Sequence, residues 1–298
     1  MTDLTRHDLY ERCVQSPRHL VPFLRAVHAG DPRVLGEDFA GTAALSILWA
    51  DSSDDRRAVA IDLDAEALGH HPEHPRVLRR CMDVMDADDP ADVIFVGNFS
   101  IGYRRTRADL VAYLKHARGR LTANAPEPGA SATGRSLDAP QDFTRPVAHA
   151  PGSVGSAAPH DPGVFICDTY GGDSAFLTGE VHRDHWIPEG PHAGKRIRYT
   201  WEQRRADPLT GMVTDVLHFR VEKGGVIEQE IFDAFVYEWR LWSVPELRDA
   251  MLDAGFATTE VYAKTADAMD EEGNAYVLPV EDAEELDDSF IVLVAGRA

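Results

Sequence analysis

Three short runs constrain the fold of this chain more than anything else in it: Ala58-Val-Ala-Ile-Asp62, Asp92-Val-Ile-Phe-Val96 and Val164-Phe-Ile-Cys-Asp168. A strand with one wet face alternates apolar and polar residues. These runs do not alternate, so they must be covered on both faces, as the strands of a parallel sheet between helices are. The segments around them agree. Arg33 to Phe39 reads as a further strand, and the small-residue turn Ala40 to Ala43 leads into a helical stretch from Ala44 to Ala50. Asp64 to Leu68 opens a helix with an acidic first turn, and Val77 to Met82 is strand-like. Arg107 to Leu121 is an amphipathic helix that turns Leu110, Tyr113, Leu114 and Leu121 inward. Strands alternating with helices imply an α/β fold with a mostly parallel sheet.

Elsewhere the pattern departs from that alternation. Residues 7 to 29 carry Leu9, Cys13, Leu20, Phe23, Leu24 and Val27 at helical intervals broken at Pro17, which predicts two short helices. From 122 to 163 the composition turns to Ala, Pro, Gly, Ser and Asp, which predicts a surface insertion without order. The period then changes from 3.6 to 2: Arg196 to Arg205, Met212 to Val221 and Ile227 to Trp239 alternate, joined by turns at Asp207-Pro-Leu-Thr-Gly211 and Lys223-Gly-Gly225. That is an inserted antiparallel β meander. Ser243 and Glu246 mark the start of a helix that Gly255 closes, and Ala257 to Ala263 and Phe290 to Gly296 supply two last strands with an acidic loop between them. The chain thus divides into an α/β domain built from 1–177 and 240–298 and an antiparallel cap at 178–239.

Charge narrows the partners. With 50 acidic residues against 30 Lys and Arg, the formal charge of −20 would repel a phosphate backbone, so no nucleic-acid partner is expected and small or cationic ligands are favoured. Cys13, Cys81 and Cys167 are odd in number and form no CxxC pair, which points to a reducing compartment and away from a structural zinc site. The first residues lack the apolar stretch of a leader, and no run of about 18 uncharged apolar residues occurs, so a cytoplasmic protein without a membrane partner is expected. His182, His185 and His192 stand in chain read as a Pro- and Gly-rich loop, with no carboxylate or Cys at a ligating spacing. His70, His71 and His74 are set aside likewise, and no metal is expected.

Chemistry concentrates at the ends of the strands. Gly41 permits close approach of backbone to a ligand at the carboxyl end of the first strand, where α/β sheets bind cofactors. Asp62 follows Glu37 by about 25 residues, near the separation at which nucleotide-binding folds set a carboxylate against two ribose hydroxyls. A carboxylate there also suits a helix start, for which Asp64 competes. Asp83 follows the third strand within an acidic tract, and Gly97-Asn-Phe-Ser100 follows the fourth.

Taken in this order, the segments resemble the class I S-adenosylmethionine-dependent methyltransferases of the small-molecule type. Glu37 to Ala43, EDFAGTA, is similar to the D-x-G-x-G-x-G turn of that family, with Phe39 and Ala43 at the first and third glycine positions. Asp62 resembles the ribose-binding acid, Leu63 the residue that packs on adenine, and Arg80-Cys-Met-Asp-Val84 the third motif, which makes Asp83 and Val84 adenine-edge candidates. Asn98 falls where the family faces both cofactor and acceptor, without the Asn-Pro-Pro-Tyr signature of base or glutamine methylation. Tyr10-Glu-Arg-Cys-Val-Gln15 corresponds to helices that fold over the cofactor, packing against the sheet being the alternative. Val164 to Tyr170, Tyr237 to Arg248 and Ala254-Gly-Phe256 extend the resemblance over nearly the whole chain. It implies a Rossmann-like seven-stranded sheet of order 3-2-1-4-5-7-6, the last strand antiparallel. It also implies S-adenosyl-L-methionine as cofactor, held by Gln15, Glu37, Phe39, Ala40, Gly41, Asp62, Leu63, Asp83, Val84 and Asn98.

The activity so implied is in-line methyl transfer to a small-molecule acceptor, in which positioning and desolvation supply most of the acceleration. A base is required only for an acceptor protonated at working pH. Tyr170 and His185 are the leading candidates, with Asp168, Tyr103 and His182 beside them. The meander's aromatics, Trp186, Tyr199, Trp201, Phe235, Tyr237, Trp239 and Trp242, offer either a water-excluding lid or plain core, and the meander itself offers a homodimer interface. Two other readings stay open. One is another nucleotide-dependent enzyme on the same sheet, such as a nicotinamide dehydrogenase, which the lack of an intact GxGxxG disfavours. The other is a noncatalytic cofactor-binding or regulatory protein.

Overall fold

The apolar runs take the centre of a seven-stranded sheet. In the computed structural model, which describes residues 3–15, 17–122 and 163–298, two helices come first, α1 (Arg6–Cys13) and α2 (Pro17–His28). Then β1 (Val34–Asp38), α3 (Ala44–Asp51), β2 (Arg57–Asp62), α4 (Ala65–Leu68), β3 (Val77–Cys81), β4 (Val93–Val96), α5 (Arg107–Arg120) and β5 (Val164–Gly172) alternate. Four strands follow, β6 (Gly179–Trp186), β7 (Arg196–Asp207), β8 (Met212–Lys223) and β9 (Val226–Arg240). The chain returns through α6 (Val244–Asp253) and β10 (Thr258–Ala263), the short strands β11 (Ala268–Met269) and β12 (Ala275–Tyr276), and β13 (Ser289–Arg297).

The large sheet runs β3-β2-β1-β4-β5-β13-β10. Its first five strands are parallel, and β13 lies antiparallel to both neighbours, as the resemblance implied. The side chains of β4 explain the unbroken apolar run. Val93 and Phe95 enter the core shared with α2 and α3, whereas Ile94 and Val96 enter the core shared with α5 and α6. In β5, Val164 and Ile166 divide from Phe165 and Cys167 in the same way. At the end of β1 the buried Asp38 accepts both contacts from Arg120 Nη1, at 3.0 and 2.9 Å, and a bond from the Tyr113 hydroxyl at 2.7 Å. Among the described residues no helix is long and apolar enough to cross a membrane.

The structure corrects the sequence reading in several places. The meander has four strands in the order β6-β7-β8-β9, not three. His182 and His185 therefore stand on the edge strand β6 rather than in a loop, and only His192 lies in a turn. Both faces of β6 carry charged, largely exposed residues, which hides its period. α4 is a single turn, and the acidic segment between the last two large-sheet strands contains the β11–β12 hairpin. Apart from Thr122 and Gly163, the insertion expected at 122–163 lies outside the described residues. The helix α1 buries Leu9 and Cys13 with Ile197, Leu217 and Phe219 of the meander, so it packs against that sheet and not the seven-stranded one. Trp242 belongs to the core beneath α5 and α6, while Trp186 is 68% exposed, so neither is part of a lid.

Candidate functional site

The strand order 3-2-1-4-5 sets the carboxyl ends of five parallel strands side by side, and the expected residues collect there. In the turn after β1, Phe39, Gly41 and Ala43 have φ of +59°, +55° and +61°. The backbone is left-handed at all three positions although two of them are not glycine, at roughly 1–2 kcal/mol for each non-glycine residue. Carboxylates on either side hold it. Asp62 Oδ2 accepts from the Gly41 N–H at 2.7 Å. Glu37 Oε2 accepts from the Ser46 N–H at 3.0 Å and its hydroxyl at 2.6 Å, which caps α3 where Ala43, in the N-cap position, has no side chain to do so. A Cβ built on Gly41 would meet nothing within 4 Å, so the turn faces open space. Gly41→Ala is accordingly expected to cost about 1–2 kcal/mol of stability, read from the urea midpoint, and to push a methyl group into that space.

The two roles weighed for the end of β2 separate cleanly. Asp64 caps α4 by accepting from the Glu66 and Ala67 N–H groups. Asp62 bridges the two strand ends, with one oxygen on Gly41 and the other accepting from the Asp64 N–H at 2.8 Å, and each oxygen keeps a further lone pair for a ligand hydroxyl. Leu63 beside it is 70% exposed, an apolar face on offer where an adenine would lie. Asp83 caps the turn Val84–Asp86, accepting from the Met85 N–H at 2.9 Å, and stands 3.5 Å from Arg104 Nη2 with its side chain still 44% exposed. The Val84 side chain is buried in the core, which leaves its main chain to face a ligand. Phe39 stacks on Tyr103 with centroids 5.9 Å apart, so Tyr103 covers the β1 turn.

A small cavity of about 70 Å³ opens between this turn and the end of α1, lined among others by Gln15, Glu37, Phe39, Asn98, Asp168 and Lys264. Gln15 Oε1 is buried there without a hydrogen-bond partner among the described residues. Burial pushes the Glu37 carboxyl up to about 7 against the bonds from Ser46. The Asp168 carboxyl is pushed up to about 6 by burial, against the main-chain N–H groups of Phe99 at 2.7 Å and Asn98 at 3.0 Å. Asn98, Asp168 and Lys264 also line a second cavity of about 260 Å³ under the cap sheet. Its walls are largely aromatic, with Tyr10, Tyr170, Tyr199, Trp201, Tyr237 and Trp239 among them, and Arg183 of β6 adds a cation. A hollow of about 440 Å³ on the far side of Tyr170 is lined by no other expected site residue.

The Tyr170 hydroxyl lies 2.8 Å from Gln203 Oε1 and 3.2 Å from Asp215 Oδ2, and Trp239 Nε1 donates to the same Asp215 oxygen at 2.8 Å. Burial and the neighbouring Asp215 charge raise the phenol well above its ordinary value, and its bonds to Gln203 and Asp215 fasten the cap to β5. His185 is not among the residues lining either cavity, because β6 carries it two residues past Arg183 along the edge. The Asp215 carboxyl is itself pushed up to about 7 by burial. Between its ordinary 3.8 and about 7 the folded chain keeps a proton that the unfolded chain has released, so this group makes stability fall as pH rises through that window and level off above it. Asp215→Asn is expected to remove that slope, and urea midpoints of both proteins across the window should converge as pH falls.

Sequence reasoning thus placed the cofactor-side candidates together at the strand ends. It missed Lys264, just past β10, and Arg183, whose strand was not recognised; neither stands in a motif. The clamp of Asp168 on the Asn98 and Phe99 amides was likewise invisible, since both residues sit at positive φ, +54° and +63°, without a glycine to signal it.

No protein-family model matches the sequence, and no curated protein matches it. Solved structures do. DesVI of Streptomyces venezuelae superposes with a TM-score of 0.62 at 13% identity, over 99% of each chain. The sugar N-methyltransferase KedS8 from a Streptoalloteichus species gives 0.58 at 14% identity, over 100% of this chain and 94% of its own. CalS10, an amino pentose methyltransferase of Micromonospora echinaspora described with S-adenosylmethionine bound, gives 0.58 at 14% identity, over 100% and 98%. The chain has the Rossmann-like fold that these proteins share.

Proposed function

We propose that this chain is an S-adenosylmethionine-dependent methyltransferase whose acceptor is a small-molecule amine. The observation that carries the reading is the shared wall: Asn98, Asp168 and Lys264 line both the small cavity beside the β1 turn and the aromatic cavity beneath the cap, so donor and acceptor would meet across them. The residues fit the cofactor, with an open face at Gly41, spare lone pairs on Asp62 and an orphaned buried oxygen on Gln15. Bound S-adenosylmethionine supplies a sulfonium methyl group with a leaving group already in place. Asp62 would take the ribose hydroxyls, Leu63 and Asp83 the adenine, and Gln15 with the Glu37 side of the turn the amino-acid end.

Amine specificity rests on the acceptor walls. Aromatic faces exclude water and favour a cationic head group by cation–π attraction, which acts against the Lys264 and Arg183 charges in the same wall. Asp168, poised at about 6, is ionised at neutral pH and able to take a proton from an ammonium acceptor. Two of the structural neighbours are described as methylating a sugar nitrogen or an amino pentose, which supports the same class. Tyr170 enters as a positioning residue, and the 178–239 sheet as the acceptor cap. The exposed Phe232 and Val236 of β9 extend the proposal to a homodimer through that sheet, for which sedimentation is the test.

The activity is tested by incubating the chain with S-adenosylmethionine and a panel of small amines, phenols and carboxylic acids, following S-adenosylhomocysteine release and product mass. Turnover confined to amines is expected. Turnover of phenols or acids alone would overturn the acceptor class, and cofactor binding without any turnover would favour the noncatalytic reading.

A further inference from the structure

Outside the strand ends, α1 brings a second set of ligating side chains against the loop that follows α4. Glu11, His70 and His71 each present one ligand atom, and these atoms all lie within 4.8 Å of one another. His71 Nε2 is 2.7 Å from Glu11 Oε1, and His70 Nε2 is 3.4 Å from Asp8 Oδ1. The His70 and His71 rings stand 4.9 Å apart. A third imidazole closes the group from behind. The His7 ring is 5.6 Å from that of His70, the residue is only 5% exposed, and its Nε2 is buried with no hydrogen-bond partner among the described residues.

Two imidazoles and a carboxylate form the ligand set of borderline divalent cations, in which nitrogen and oxygen donors surround the ion and solvent completes the shell. A tetrahedral ion bound at about 2.0–2.1 Å needs its ligand atoms roughly 3.3 Å apart, so Glu11 Oε1 and His71 Nε2, now 2.7 Å apart, have to separate slightly while the wider spacings of the group, all within 4.8 Å, close. Glu11 and His71 are 60 residues apart in sequence, which is why no short ligating spacing reveals them. The surrounding charge is mixed: Asp8, Asp64 and Glu66 lie near the group, but Arg6 pairs with the last two and Arg79 donates to the His71 carbonyl at 2.8 Å, so a cation would be held by its ligand atoms and not by the field around them.

We propose that Glu11, His70 and His71 bind a single divalent cation of the zinc class, with water completing its coordination. The site is independent of the methyl-transfer reading, but it lies where it would steady that machinery. Glu11 Oε1 also accepts from the Thr42 hydroxyl, next to Gly41, and the helix it belongs to carries Tyr10 and leads to Gln15. An ion there would tie α1 to the β1 turn.

Cobalt(II) is the probe, since its visible ligand-field bands report coordination. The full chain, free of any histidine tag and treated with a chelator, is expected to take up one Co2+ with bands typical of four or five nitrogen and oxygen ligands, and to lose them when Zn2+ is added. The Glu11→Gln, His71→Ala double variant should bind at least about 100-fold more weakly, as even lost outer-shell partners cost 10–100-fold. His74→Ala, whose histidine pairs with Asp51 outside the group, should bind as the parent does. Circular dichroism checks the fold, and His71→Ala alone serves if the double variant fails to fold. Absence of the bands from the parent chain, or the same bands and affinity in the variants, would overturn the site.

Discussion

Asp62→Ala is expected to weaken binding of S-adenosylhomocysteine by about 100-fold or more. A charged acceptor contributes about 1.5–3 kcal/mol per hydrogen bond, and a ribose diol offers two donors to it. The loss reaches beyond these two bonds, because an alanine also releases the Gly41 and Asp64 amides that the carboxylate now holds at 2.7 and 2.8 Å. The freed turn contains two non-glycine residues at positive φ and has reason to relax away from its present shape. A net loss of about 3 kcal/mol corresponds to about 100-fold in Kd. Asp62→Asn, which keeps one acceptor oxygen, should fall between the two. Calorimetric titration of the three proteins makes the comparison, and an unchanged Kd in a folded alanine variant would mean that some other group grips the ribose.

Arg120→Leu is expected to destabilise the fold by about 3–5 kcal/mol, the usual consequence of stranding one member of a buried ion pair. The side chains of Arg120 and Asp38 are 3% and 0% exposed, so no water replaces the lost guanidinium. Among the described residues, Tyr113 would remain as the only side-chain donor to Asp38. Adding Asp38→Asn to Arg120→Leu should restore much of the loss, since it is the orphaned charge and not the missing contact that is expensive. Denaturant midpoints measure both. A loss below about 1 kcal/mol would class the pair with solvent-exposed bridges. The stake is functional as well, for Asp38 immediately precedes the Phe39–Ala43 turn and fixes it from beneath.

The sheet was legible because its physics is one-dimensional. A strand segment buried on two faces must be apolar, and β4 and the first four residues of β5 are, so their place between two helical layers could be read from residues 92–96 and 164–168 alone. The capping box of α6 was equally local. β6 was not, because it has an exposed edge position and charged residues on both faces, and nothing about burial constrains its composition. The same limit divides the site. Asp62 and Gly41 announce themselves through positions in a recurring turn, whereas Lys264, Arg183 and the cation group at Glu11, His70 and His71 are assembled by contacts between distant segments. Phe39 and Ala43 are the instructive case. Read as missing glycines they weaken the motif, yet the backbone at both is left-handed, held by Asp62 on one side and by Glu37 with Ser46 on the other.

Equilibrium dialysis of the parent chain against labelled S-adenosylmethionine tests the central claim most directly. One molecule should be retained per chain, displaced by S-adenosylhomocysteine and not by NADH. A folded chain that retains none, or whose bound label NADH displaces, would contradict it.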